Sequence, residues 1–197
     1  MLTDQLRKLL SGLTTSIGKT LGGIGIHANF VTFLVLVFGF WAAYYISIGE
    51  YGLAILMILI SGICDGIDGA VAKANQKETK FGALLDSTTD KVTEISWYLA
   101  FILVPSTVNL IIPSFLACSA FMVASYISKH AKADGGKSGG GLMERKERLI
   151  LIIIGLLSAS NGKPDILFWC LWIIAIGSTI TAWQRFYKNY KILSEMK

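Results

Sequence analysis

The sequence predicts an all-α integral membrane protein: a bundle of six transmembrane helices preceded by an amphipathic helix on the bilayer surface. Three observations predict it. Apolar residues make up 53% of the 197 and charged residues only 16%, against about 25% charge in a soluble domain. Six apolar stretches approach the ~20 residues needed to cross the hydrocarbon. Lysine and arginine gather in alternate connections, which is how orientation across a bilayer is written in sequence.

Residues 1–22 come first. Leu2, Leu6, Leu9, Leu13 and Ile17 recur every three to four residues with charges between them, as in a helix lying in the membrane interface. The alternative is a soluble extension that caps the bundle. After Arg7 and Lys8 the run GLTTSIGKT is polar where a signal peptide would carry its apolar core, so no cleaved leader is expected.

Residues 23–197 form the transmembrane domain. The expected spans are Ala28 to Gly49, Tyr51 to about Lys73, Phe81 to about Val104, Asn109 to Ser128, Arg148 to Ser160 and Asp165 to about Arg185. The first and fourth carry no charge. The fifth is short unless Glu144 to Glu147 join its helix. The connections fix the topology. Arg7, Lys8 and Lys19 precede the first span; Lys73, Lys77 and Lys80 lie between the second and third. Lys129, Lys132, Lys137, Arg145, Lys146 and Arg148 surround the fourth connection. Arg185, Lys188, Lys191 and Lys197 end the chain. The loops near Glu50 and at PSTVN have none. Of the 18 basic residues only Lys91, within a span, and Lys163, opposite, fall outside this pattern. Both termini are therefore expected in the cytosol, and the protein in the cell membrane.

The basic residues do not cluster beside exposed aromatics, which argues against nucleic-acid binding. Cys64, Cys118 and Cys170 are odd in number, far apart and set in apolar stretches. They read as small buried hydrophobes, not as a disulfide frame or a zinc site.

Four carboxylates interrupt this apolar chain. Asp65 and Asp68 are three residues apart, and Asp86 and Asp90 four apart, so each pair shares a helix face. Measured from Lys73, Asp65 lies about 12 Å inward and Asp68 about 7 Å. Measured from Lys80, Asp86 lies about 9 Å inward and Asp90 about 15 Å. The four occupy one band below the cytosolic surface, where they would repel and protonate unless neutralised. Hard divalent cations favour oxygen ligands, and a pair of them commonly clamps a transferring phosphoryl group. Solvated acids at frayed helix ends, or a cation path through a small transporter, are the competing readings. Gly66, Gly69 and Gly82, with Ala70, Ala72 and Ala83, leave the neighbouring helix faces bare. Small residues there suit either close helix packing or the approach of a large ligand.

The full spacing is Asp65-x2-Asp68-Gly69-x2-Ala72-Lys73-x8-Gly82-x3-Asp86-x3-Asp90. It closely resembles the signature of the CDP-alcohol phosphotransferases, six-span membrane enzymes of phospholipid synthesis, usually homodimers. The departure is Lys73, which stands where the family has arginine; it keeps the charge and loses the planar fork. The resemblance implies that Asp65, Asp68 and Asp86 hold two Mg²⁺ or Mn²⁺ ions, with Asp90 nearby or also ligating. It further implies that Asp90 takes the proton from the acceptor hydroxyl. Gly69, Ala72 and Gly82 would make room for the nucleotide of the CDP-lipid, with Lys73 beside its phosphates.

Two further stretches point to the acceptor. DSTTDKVTE (residues 86–94) and GGGLMERKERLI (residues 139–150) resemble the versions found in members that use inositol phosphate. Arg145 and Arg148 at the start of the fifth span, and Arg185 at the end of the sixth, would then bind the acceptor's phosphate; positive-inside anchoring is the plain alternative. SYISKHAKA departs from the basic run expected at that point. Glu94, four residues after Asp90, would contact a substrate hydroxyl or pair with a basic neighbour. The run DGGKSGGG (residues 134–141) lacks the strand and the glycine spacing of a Walker loop and reads as a flexible cytosolic loop. The expected reaction is transfer of a phosphatidyl-type group from CDP-diacylglycerol or CDP-archaeol to inositol phosphate, releasing CMP. Glycerol phosphate, serine or another alcohol is the alternative acceptor.

Overall fold

A computed structural model describes residue 20 and residues 27–74, 79–104, 109–137 and 139–196. The interfacial helix expected over residues 1–22 lies outside the described residues, apart from Thr20. Among the described residues the elements are α1 (Ala28–Ser47), α2 (Tyr51–Ala74), α3 (Lys80–Leu103), α4 (Ile111–Ala133), α5 (Arg145–Ser160) and α6 (Pro164–Ser194).

These helices coincide with the six expected stretches. Four of them, α1, α2, α4 and α6, are long and apolar enough to cross a membrane. The other two fall short for different reasons. Every 18-residue stretch of α3 includes Asp86, Asp90, Lys91 and Glu94. Helix α5 has 16 residues, a rise of about 24 Å against about 30 Å of hydrocarbon. Helix α6 is the opposite case: its 31 residues rise about 46 Å, so it continues well past the expected end at Arg185. Large apolar side chains point outward along the apolar helices, among them Phe33 and Phe40 on α1, Phe115 and Val123 on α4, and Ile173 and Ile176 on α6. Such surface is a liability in water and is the normal exterior of a membrane protein, which this chain is.

The chain divides into two compact units. The first takes α1 through Tyr44 together with Leu56–Trp97. Within it, Ser61 Oγ of α2 donates to Val35 O of α1 at 3.0 Å, and Trp97 Nε1 of α3 donates to Gly39 O of α1 at 3.0 Å. Val31, Ile67 and Val71 form a buried cluster, with Ala28 and Cys64 packed on it. All three cysteines are free thiols, and Cys64 packs as a hydrophobe, as the sequence suggests.

The second unit takes Tyr45–Ile55 and the chain from Tyr98 onward. Helix α6 packs against both α4 and α5. Leu156, Leu167, Leu171 and Ile174 are fully buried, and Tyr98 lies on Phe121 with ring centroids 5.5 Å apart. Helix α5 opens with Glu147 reaching back to accept the Glu144 N–H at 3.0 Å, half of a capping box. Helix α6 opens on Pro164, whose missing N–H costs nothing at a first turn.

Candidate active site

The acids of α2 and α3 meet inside the first unit. One carboxylate oxygen each from Asp65, Asp86 and Asp90 lies within 4.8 Å of the others, and all three residues are partly buried. Asp86 and Asp90 sit one turn apart on α3, and Asp65 comes from α2. Oxygens bound to one ion at about 2.0–2.6 Å stand at most about 4–5 Å apart. The three carboxylates therefore fit a hard divalent cation by both spacing and donor type.

Asp68 takes a different place. It is 5% exposed, and its Oδ2 accepts a hydrogen bond from Thr32 Oγ1 of α1 at 2.7 Å. The four acids expected to act together thus divide into a triangle of three and one carboxylate held by a neighbouring helix. Asp68 and Asp86 both line a cavity of about 340 Å³. So do Gly69, Ala72, Lys73 and Gly82, the four residues that the motif marked for the nucleotide.

The glycines now separate by role. A Cβ on Gly39 would collide with the Thr93 side chain, so Gly39 serves close packing. A Cβ on Gly69 would meet nothing within 4 Å. That glycine leaves open space on the cavity wall, which is what the approach of a ligand requires.

Sequence reasoning missed the α1 wall. Asn29 and Thr32 line the cavity as well. The available signal was two polar residues spaced i, i+3 in an otherwise apolar stretch. Thr79 also escaped notice; its Oγ1 accepts the Gly82 N–H at 2.9 Å and caps the start of α3. Glu94, one turn beyond Asp90, is 2% exposed, so it is a buried acid and not a solvated one.

The three arginines lie in the second unit. Arg148 is buried, donates from Nη1 to Met143 O at 3.3 Å, and sits 4.9 Å above the Phe121 ring. Arg185 donates from Nε to Gly140 O at 2.7 Å and from Nη1 to Ala124 O at 3.0 Å. Arg145 is the partly buried first residue of α5. His130 lies against Tyr126, with ring centroids 4.2 Å apart.

The connection before α5, expected to be flexible, is instead strapped to α6. Asn189 accepts the Lys137 N–H at 2.9 Å and donates to Lys137 O at 3.1 Å. Gln184 accepts the Leu142 N–H at 3.0 Å, and Thr181 accepts the Met143 N–H at 2.8 Å. These residues and Arg185 are spaced along one face of α6, and the far rung exists only because α6 runs past Arg185. Gly141 makes the close approach possible: its φ is +133°, and a Cβ there would strike the Thr181 side chain. Gly141→Ala should therefore cost about 1–3 kcal/mol of loop anchoring. Limited trypsin digestion in nanodiscs reads this out, with cleavage after Lys137 accelerated roughly tenfold or more. Unchanged cleavage would mean that the strap contributes little.

Residues 25–183 match the profile of the family described as CDP-alcohol phosphatidyltransferase. The chain is 32% identical over 137 residues to the phosphatidylinositol phosphate synthase of Mycobacteroides abscessus, covering 66% of this chain and 61% of that one. It is 38% identical over 127 residues to the enzyme of the same name from Corynebacterium glutamicum, covering 61% and 58%. The matches thus span about three fifths of these curated relatives. The crystal structure of the Mycobacterium tuberculosis phosphatidylinositol phosphate synthase with CDP-DAG bound is similar at a TM-score of 0.83 and 28% identity, covering 90% of this chain and 93% of that one. The same protein in complex with manganese and citrate is similar at a TM-score of 0.82 and 27% identity, covering 90% and 88%.

Proposed function

We propose that this chain, which belongs to the CDP-alcohol phosphatidyltransferase family, transfers a phosphatidyl-type group from a CDP-lipid to inositol phosphate and releases CMP. The observation that carries the reading is the join between acids and cavity: Asp86 belongs to the carboxylate triangle and also lines the 340 Å³ cavity with the four motif residues. The name of the relatives from Mycobacteroides abscessus and Corynebacterium glutamicum supports inositol phosphate as the acceptor, and so do the stretches at residues 86–94 and 139–150.

Asp65, Asp68, Asp86 and Asp90 would hold two Mg²⁺ or Mn²⁺ ions, which when bound offset the charge gathering on the leaving phosphate. The chain's own side chains do the rest. The open space at Gly69, with Ala72 and Gly82 beside it on the cavity wall, admits the nucleotide. Lys73 offers the donor's phosphates a point charge in place of a planar fork. Asp90 accepts the proton of the acceptor hydroxyl. That oxygen attacks the β-phosphorus of the CDP-lipid, and the bond from this phosphorus to the bridging oxygen breaks, so that CMP departs with the electron pair. Arg145, Arg148 and Arg185 would bind the phosphate that the acceptor already carries.

The same reading places the protein in the cell membrane as a homodimer. In it α3 and α5 complete six crossings, residues 1–22 lie along the interface, and both termini and the acids face the cytosol. The alternation of basic loops supports this sidedness.

The decisive assay follows CMP release from CDP-diacylglycerol by the reconstituted protein, with inositol phosphate, glycerol phosphate or serine offered in turn. Release should require Mg²⁺ or Mn²⁺ and be fastest with inositol phosphate. A preference for another alcohol would replace the acceptor; no release with any of them would leave cation transport, tested by ion flux. Arg145→Ala should raise the KM for inositol phosphate about 10- to 100-fold, the worth of a charged hydrogen bond, with the KM for the CDP-lipid little changed. Equal effects on both substrates would assign Arg145 to anchoring.

A further inference from the structure

Thr32 stands one turn into α1, facing α2 within the first unit. Its Oγ1 lies 2.7 Å from Asp68 Oδ2 and 3.1 Å from Ala28 O. The two side chains are buried, Thr32 at 4% exposure and Asp68 at 5%. A hydroxyl has a single hydrogen to give. Bonds to an ionised oxygen are the shorter and stronger ones, so the hydrogen goes to the carboxylate. No other hydroxyl of α1 lies along the cavity wall.

We propose that Thr32 is a positioning residue that fixes Oδ2 of Asp68, disfavours chelation of a bound cation through both oxygens of this acid, and so favours Mg²⁺ and Mn²⁺ over Ca²⁺. The inference rests on the divalent-cation reading of the site given above. Its physical basis is coordination geometry. Mg²⁺ demands near-octahedral ligands at about 2.0–2.1 Å, whereas Ca²⁺ takes six to eight oxygens at about 2.3–2.6 Å and readily accepts both oxygens of one carboxylate. The hydroxyl of another helix occupies one lone pair of Oδ2 and fixes the plane of the carboxylate, so side-on approach of a cation to both oxygens must compete with that bond or turn the side chain away from it. The side chain is also held in one rotamer, so less ordering remains to be done when the ion arrives. Partners that orient a metal ligand in this way typically account for about 10–100-fold in metal affinity.

The test uses full-length protein in nanodiscs and Mn²⁺ itself as the probe. Free Mn²⁺ is followed by electron paramagnetic resonance, with Mg²⁺ and Ca²⁺ as competitors. Thr32→Val keeps the β-branch and the volume and deletes the hydroxyl; Thr32→Ser keeps the hydroxyl. The valine variant should bind Mn²⁺ about 10–100-fold more weakly and let Ca²⁺ compete better relative to Mg²⁺. The serine variant should behave as the unaltered protein does in both respects. Saturable Mn²⁺ binding by the unaltered protein, with the valine variant unchanged in affinity and in preference, overturns the role of Thr32 and leaves the cation site standing. Equal losses in the valine and serine variants overturn it too, because packing and not the hydroxyl would then matter. Absence of saturable Mn²⁺ binding by the unaltered protein overturns the cation reading and this inference with it.

Discussion

Asp90→Asn is expected to lower turnover by about 10²–10⁴-fold, the usual worth of a positioned general base, while the helices stay folded. Asparagine has the shape of aspartate and keeps one oxygen, so the triangle with Asp65 and Asp86 is still filled. What disappears is the charge and the capacity to take a proton. Asp90 is not among the residues that line the cavity, so affinity for the CDP-lipid should move far less than turnover. A group needed only in the transition state lowers kcat and kcat/KM together. Steady-state CMP release, alongside direct binding of a CDP-lipid analogue, checks both halves. Normal turnover would remove Asp90 as the base. A loss of donor affinity as large as the loss of rate would make it a ligand and nothing more.

The residues behind this expectation were visible in sequence to unequal degrees. Asp86 and Asp90, four apart, stand about 40° from one another around a helix and do point into one triangle with Asp65. Asp65 and Asp68, three apart, stand about 60° from one another, and that is enough for them to reach different neighbours. Periodicity groups such a pair on one face but does not say that the face meets two helices, α3 at one edge and α1 at the other. The Thr32–Asp68 bond joins positions 36 residues apart, a separation that no local pattern encodes. The small residues beside the acids were legible as a group, yet only the structure separates Gly69, with open space before it, from Gly82, crowded by Thr79; Gly39, which serves packing against Thr93, was not singled out. The apolar stretches located the helices well, because burial in a hydrocarbon demands long runs of apolar residues. They said nothing of the strap from α6, which depends on Asn189 lying beyond the apolar stretch. Within that stretch Thr181 and Gln184 merely look like tolerated polar residues.

Asp86→Asn should produce the opposite profile to Asp90→Asn. Among the described residues Asp86 alone both belongs to the acid triangle and lines the cavity. Removing its charge should therefore weaken Mn²⁺ binding by more than the roughly 10–100-fold that loss of a mere supporting partner causes. CDP-lipid affinity should fall with it, since a diphosphate beside Asp68 and an uncompensated acidic wall would be repelled. Raising the Mn²⁺ concentration should recover part of the donor affinity in this variant, because the two ligands then stabilise one another through the site. In the Asp90 variant it should recover little of the rate, because the missing function there is proton transfer. Mn²⁺ titrations at fixed donor, and donor titrations at fixed Mn²⁺, measure the coupling directly. Donor affinity that survives in Asp86→Asn after Mn²⁺ binding is gone would mean that the cavity holds its ligand without help from a cation. The roles of Asp68 and Lys73 along its wall would then have to be rebuilt on charge and shape alone.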